Sequence, residues 1–400
     1  MGSVSGGDVY LDHAATSWPK PAVVLEAMQE FLANAGGNTG RSGHRRSIAS
    51  SRAVSLARER LADLLDAGSP DELIFTKNAT EGLNVAILGF ARDGSRVVTT
   101  TLEHNSVMRP LRALEQQGRI SLDFVHADGN TGEVDLDAWR AAVGAKNVSL
   151  AVAVHACNVT GVLLPLAELA AIAKEAGVPF VADTSQSAGH VPVNLSALGV
   201  SAAAMPGHKG LLGPMGTGVL YIAPGFEVEP LIRGGTGSKS ESEYQPDFTP
   251  DRYESGTLNG IGVVALGAAA THIAETGVEH IEARLAELTR RFRDGLADTD
   301  NVTLYGPADP AASVGIVSVN VSGVPCATAA RLLDDEWGVM TRAGLHCSPA
   351  AHRSLGTAPE GTIRFSWSHF TTDDEIDVAV EAITAIAAGD RSPEPLRSSA

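Results

Sequence analysis

Cysteine is scarce in this chain of 400 residues: three thiols, Cys157, Cys326 and Cys347, stand far apart. An odd count without a CxxC pair argues against a disulfide framework and against a thiolate metal site, and it fits a reducing compartment. Long apolar runs are missing as well. No stretch of about eighteen apolar residues occurs, so no membrane-spanning helix is expected. The segment MGSVSGGDVY lacks the cationic region and apolar run of a secretory leader, and Gly6 stands where myristoylation needs Ser or Thr. The expected location is the cytoplasm. Positive charge is in deficit, 30 Lys and Arg against 47 Asp and Glu for a net −17, which speaks against nucleic acid or an anionic membrane as partner. Repeats and low-complexity blocks are lacking too, and only the tail at 391–400 reads as disordered.

What is present is the composition of a soluble globular protein, 44% apolar and 19% charged. From about residue 70 to 225, short β-branched runs alternate with amphipathic helical patterns: ELIFT before TEGLNVAILGFA, RVVTTT before SVMRPLRALEQQG, SLAVAVHA before LAELAAIAKEAG, then PFVAD. That rhythm predicts an α/β fold whose mostly parallel central sheet is flanked by helices. After residue 256 a long helical stretch, GVVALGAAATHIAETGVEHIEARLAELTRRFRDGLAD, gives way to the strand-like VGIVSVNV and TIRFSWS. The expectation is a large domain over 14–255 and a smaller α+β domain from 256–390 joined by 1–13.

An open α/β sheet places its ligand at the carboxyl ends of the strands. Polar residues gather there: Thr80 and Glu81, Glu103 and His104, Asn158, Asp183 and Gln186, His208 and Lys209. Asp183 and Lys209 form the pair a pyridinium cofactor needs, a carboxylate for the ring nitrogen and an amine for a Schiff base. A solvated turn is the alternative for Lys209, although the glycines around it would let backbone pack close to a flat ring. His104 can stack on that ring and shuttle protons, or be an ordinary satisfied polar group. Thr80 opens a helix whose free N–H groups can hold a phosphate, or it is simply an N-cap. Arg364 can fork onto a substrate carboxylate or sit in a surface ion pair. Cys347, beside His346 and near Arg342 and His352, has the cationic neighbours that favour a nucleophilic thiolate, whereas Cys157 and Cys326 read as structural. Arg41, His44 and Arg45 form either an entrance loop or a solvated charge run.

From YLDHAATSWPKP to FTTDDEID the chain resembles the class V aminotransferase-like, pyridoxal-5'-phosphate enzymes of fold type I, and within them the cysteine desulfurases that also act as selenocysteine lyases. The resemblance rests on GRSGHR, TEGLN, EHNS, CNVTG, ADTSQSAGH, GHKGLLGPMGTGVLY, RYESGTLN, RAGLHC and TIRFS, in that order. It implies that Lys209 carries the cofactor as a Schiff base, that Asp183 pairs with the pyridinium nitrogen and that Gln186 donates to the ring oxygen. His104 would stack on the ring, while His208 and Thr80 would bind phosphate. Asn158 and Arg364 would hold the substrate carboxylate, and Cys347 would form a persulfide from L-cysteine for delivery to an acceptor protein. Thr257 would reach the phosphate of a partner subunit, which implies a homodimer; no metal is implied. Three positions depart from the family pattern: Pro206 and Ala79 replace hydroxyl-bearing phosphate ligands, and His13 stands near the substrate pocket where Asn or Ser is usual. The competing reading on the same scaffold is a C–S lyase, epimerase or aminotransferase acting on another amino acid.

Overall fold

The computed structural model describes residues 8–39 and 43–389. Arg41, residues 1–7 and the 391–400 tail lie outside them. After the short β1 (Val9–Tyr10), seven strands make the main sheet: β2 (Leu73–Thr76), β3 (Ser95–Thr100), β4 (Ile120–Val125), β5 (Val148–Val154), β6 (Phe180–Asp183), β7 (Ala202–Pro206) and β8 (Gly218–Ile222). Their order is β2-β8-β7-β6-β5-β3-β4. All share one direction except β8, which runs antiparallel to both its neighbours. Side chains alternate across a strand, so a sheet covered on both faces needs unbroken apolar runs. In β7, Ala203 and Met205 enter one core with Ala182 and Val219, whereas Ala202 and Ala204 enter the other with Val181 and Leu220. Because β2, β3, β5, β6 and β7 point the same way, their carboxyl ends meet along one edge.

The second sheet is antiparallel: β9 (Val302–Tyr305), β10 (Ile316–Val321), β12 (Arg342–Gly344) and β13 (Thr362–Ser366), in the order β12-β13-β10-β9. The remaining strand, β11 (Val339–Met340), pairs in parallel with β1. Asp12 bridges to Ser366 just beyond. The long apolar stretch after residue 256 is two helices, Gly260–Thr276 and Val278–Leu296, bent by 77°. The break is Gly277, whose φ of +86° lies where side-chain-bearing residues are strained. Among the described residues no single helix is long and apolar enough to cross a membrane.

One buried ion pair ties helix Arg45–Leu64 to the segment that precedes Thr257. Arg58 Nη1 and Nη2 lie 2.7 and 2.8 Å from the two Glu254 oxygens, with the side chains 9% and 6% exposed. Glu254 also accepts from Phe75 N at 2.6 Å, and the guanidinium sits 4.2 Å over the Phe75 ring. Removing one partner strands a buried charge, so Glu254→Ala is expected to lose about 3–5 kcal/mol of stability. Urea unfolding measures this, and a loss below about 1 kcal/mol, the range of an exposed pair, would refute it.

Candidate active site

A cavity of about 180 Å³ opens at the shared strand edge. Pro206, His208 and Lys209 reach it from β7, Asp183, Ser185 and Gln186 from β6, Asn158 from β5, His104 and Ser106 from β3, and Asn78, Ala79 and Thr80 from β2. Lys209 sits on the turn after β7, only partly exposed and lining the cavity rather than free in solvent. Burial pushes its amine down to about 8; Asp183 opposes the shift, while Arg364 and Arg342 reinforce it. The glycines beside it have a packing role of their own. A Cβ on Gly210 would strike the Ala188 carbonyl, one on Gly207 the Thr217 hydroxyl, and one on Gly213 would lie 2.5 Å from Leu266 Cδ1. They let protein pack on protein, which fixes the turn that carries Lys209.

Asp183 is 2% exposed, accepts from Ser185 N at 2.9 Å and has no ion-pair partner among the described residues. A buried carboxylate without a cation is costly. Gln186 donates through Nε2 to Ala14 O at 3.0 Å, and its Oε1 is buried without a partner. His104 caps helix Asn105–Gln116, its Nδ1 accepting from Ser106 N at 3.0 Å, so its proton resides on Nε2 in the neutral ring. Burial, then Lys209, holds it down to about 4. His208 is likewise pushed to about 4 by burial and by Lys209, and its Nδ1 is buried without a partner.

The cap of helix Ala79–Phe90 is Asn78 rather than Thr80: its side chain accepts from Glu81 N at 2.9 Å. The N–H groups of Ala79 and Thr80 carry no hydrogen bond among the described residues, and together with the helix dipole they suit an anion. Thr80 Oγ1 lies 2.9 Å from Ser106 Oγ. Ser106 and Ser185 therefore bring hydroxyls to the cavity that Ala79 and Pro206 cannot supply; sequence reasoning missed both, although each sits within two residues of a named site residue. The residues present fit pyridoxal 5'-phosphate: among the described residues, a buried carboxylate with no ion-pair partner for a ring cation, an amine with no hydrogen bond, and unbonded N–H groups beside hydroxyls for a phosphate.

The N-terminal segment holds the lysine turn from behind. Ser17 N and Lys20 Nζ both donate to the His208 carbonyl at 2.9 Å, and Thr16 Oγ1 does so at 3.1 Å. No local sequence signal marks this contact, which spans 188 residues between Lys20 and His208. His13, by contrast, does not line the cavity. It is 4% exposed, its ring edge-on to Tyr10 at 4.9 Å, and burial followed by His190 pushes it down to about 3.

Arg364 is 2% exposed rather than a surface residue. Nη2 lies 2.8 Å from Asp12 Oδ1, Nη1 donates to Asn158 O at 3.0 Å, and Nε is buried without a partner. Asn158 donates to His346 O at 2.7 Å and accepts from Ser348 Oγ at 2.6 Å, gripping the residues on either side of Cys347. Cys347 is exposed, whereas Cys157 and Cys326 are buried. Of its three expected cationic neighbours only Arg342 acts as one, with Nη2 3.8 Å from Sγ. Burial and then Arg364 push His346 down to about 2, and burial takes His352 to about 4, so both rings are neutral. Thr257 is exposed and does not line the cavity of its own chain. His44 caps helix Arg45–Leu64 through Ser47 N, and Arg45 is exposed.

The family model described as aminotransferase class-V matches residues 9–378. A probable cysteine desulfurase of Methanothermobacter thermautotrophicus is 34% identical over 385 residues, covering 95% of this chain and 94% of its own. Probable cysteine desulfurase 2 of Mycobacterium leprae is 36% identical, covering 94% and 90%. The apo structure of a cysteine desulfurase from Thermococcus onnurineus superimposes with a TM-score of 0.89 at 34% identity, over 96% of this chain and 95% of that one. The Escherichia coli cysteine desulfurase CsdA, in an S-sulfonic acid form, gives 0.84 at 27% identity over the same shares.

Proposed function

This chain belongs to the class-V aminotransferase family, and from that premise we propose that it is a pyridoxal-5'-phosphate-dependent cysteine desulfurase, converting L-cysteine to L-alanine and leaving the sulfur as a persulfide on Cys347. One observation carries the reading. The single exposed cysteine sits on a loop gripped by Asn158, and Asn158 lines the cavity that holds Lys209 and Asp183.

The bound cofactor would supply an electron sink that stabilises negative charge at the substrate α-carbon. Asp183 would keep the ring nitrogen protonated, Gln186 would face the ring oxygen, and Thr80, Ser106, Ser185 and His208 would hold the phosphate. Arg364, oriented by Asp12, would receive the substrate carboxylate together with Asn158. Lys209, with its amine lowered toward neutrality, takes the α-proton and can return it. His104, neutral with its proton on Nε2, is placed to move a second proton. The Cys347 thiolate attacks the substrate sulfur, the Cβ–S bond breaks, and its electron pair stays on carbon, which is then protonated. Carbon is reduced and sulfur oxidised to the sulfane level, so no outside oxidant is needed; the sulfane sulfur then passes to an acceptor thiol without further redox change, or leaves as sulfide when a thiol reductant supplies two electrons. The reading includes a homodimer in which Thr257 serves the neighbouring site, a sulfur-acceptor protein, a cytoplasmic setting, and a large cofactor-binding domain over 14–255.

Incubating the cofactor-loaded protein with L-cysteine and a thiol reductant is expected to yield alanine and sulfide in equal amounts. Pyruvate and ammonia in place of alanine would overturn the desulfurase reading in favour of a lyase.

A further inference from the structure

The loop that carries Cys347 is strained. His346 and Cys347 have φ of +49° and +59°, a region that side-chain-bearing residues enter only when their surroundings force it. Backbone and amide anchors account for part of that force: Asn105 N donates to Cys347 O at 2.8 Å, and Asn158 holds both neighbours. The rest lies behind the thiol. His346 Nε2 is 3.0 Å from Arg342 O, His346 Nδ1 is 3.3 Å from His352 Nε2, and His352 Nδ1 is 2.7 Å from Thr357 Oγ1. These three residues are 4%, 0% and 6% exposed.

With both rings neutral the partners fix the imidazole protons in this row, while the Thr357 hydroxyl also has the His352 carbonyl within 3.3 Å. A carbonyl only accepts, so His346 Nε2 donates to Arg342 O and Nδ1 of the neutral ring must accept. His352 Nε2 is then the donor, its Nδ1 the acceptor, and the Thr357 hydroxyl donates. Nothing in the row is interchangeable, and losing any member leaves a buried polar atom unpaired. We infer that His346, His352 and Thr357 form a positioning relay that locks the Cys347 loop in its left-handed conformation for sulfur transfer. The inference deepens the desulfurase reading and rests on it for its kinetic consequence only. None of the three lines the cavity, and only His346 meets a lining residue, through the Asn158 amide on its carbonyl. They act through the backbone of Cys347, and displacing a reacting group by about 1 Å can cost about 10²-fold in rate.

The test compares His352→Leu, His352→Gln and Thr357→Val in the cofactor-loaded protein. Glutamine can place an N–H near the position of His352 Nε2, whereas leucine cannot. Amide hydrogen exchange over 342–350, read by mass spectrometry without substrate, is expected to quicken about tenfold or more in the leucine and valine variants and to stay near wild type in the glutamine one. Alanine formation should slow by about 10- to 100-fold in the same two variants, with half-saturation by L-cysteine unchanged. Unchanged loop exchange in both, or a glutamine variant as impaired as the leucine one, would overturn the relay. If the unsubstituted protein makes no alanine, the desulfurase reading falls, and the exchange data alone decide the relay.

Discussion

Lys209→Ala is expected to lower alanine formation from L-cysteine by at least about 10³-fold, because in the proposed mechanism one side chain both joins the cofactor and moves the α-proton. The environment explains why arginine cannot stand in. Burial brings the Lys209 amine to about 8, with Arg364 and Arg342 pushing the same way, so a useful fraction is neutral near physiological pH. An arginine there would stay charged. A small primary amine such as ethylamine, added to the alanine variant, should restore part of the rate, since the missing group is an amine and the cavity is open to solutes of that size. The visible absorbance of the cofactor-loaded variant and the alanine yield together check this; activity within about tenfold of wild type would remove Lys209 from the reaction.

Cys347→Ala should show the complementary pattern: L-cysteine still perturbs the cofactor absorbance, but alanine release falls by about 10²- to 10⁴-fold, the range typical of losing a committed reacting group. Neither other thiol can take over. Cys157 is buried, with burial pushing its thiol up, and Cys326 donates to Glu360 O at 3.2 Å in another part of the fold. Serine at 347 should be as poor as alanine, because a hydroxyl oxygen does not form a stable bond to sulfane sulfur. Unimpaired sulfide release by the alanine variant would exclude a Cys347 persulfide.

Much of this architecture was legible because buried parallel strands leave a blunt mark. Runs such as LAVAV and FVAD have no polar face to hide, and the residues that follow them were the right place to look for a site. The reversed strand β8 was not legible, since GVLYI is as apolar as its parallel neighbours and its direction is set by the short turn after Lys209. The alternative reading of Thr80 as a cap fails because capping depends on which residue leaves helical geometry first, and Asn78 does so with φ of −175°. The hydroxyls of Ser106 and Ser185 went unnoticed because the sequence does not say which side chains beyond a strand end line the cavity. The cationic histidines around Cys347 failed for a plain reason: sequence proximity says nothing about burial, and burial removes their charge.

The N-terminal segment adds a temporal condition to all this. Asp12 meets Arg364 across 352 residues, and a few residues later Thr16, Ser17 and Lys20 close on the His208 carbonyl. At a synthesis rate of 5–20 residues per second, Asp12 leaves the ribosome roughly 20–70 s before its partner exists. During that interval the lysine turn can already be clamped, while the arginine end of the same strap has nothing to bind. Synthesis therefore delivers the amine side of the site first, the Cys347 loop next and Arg364 last.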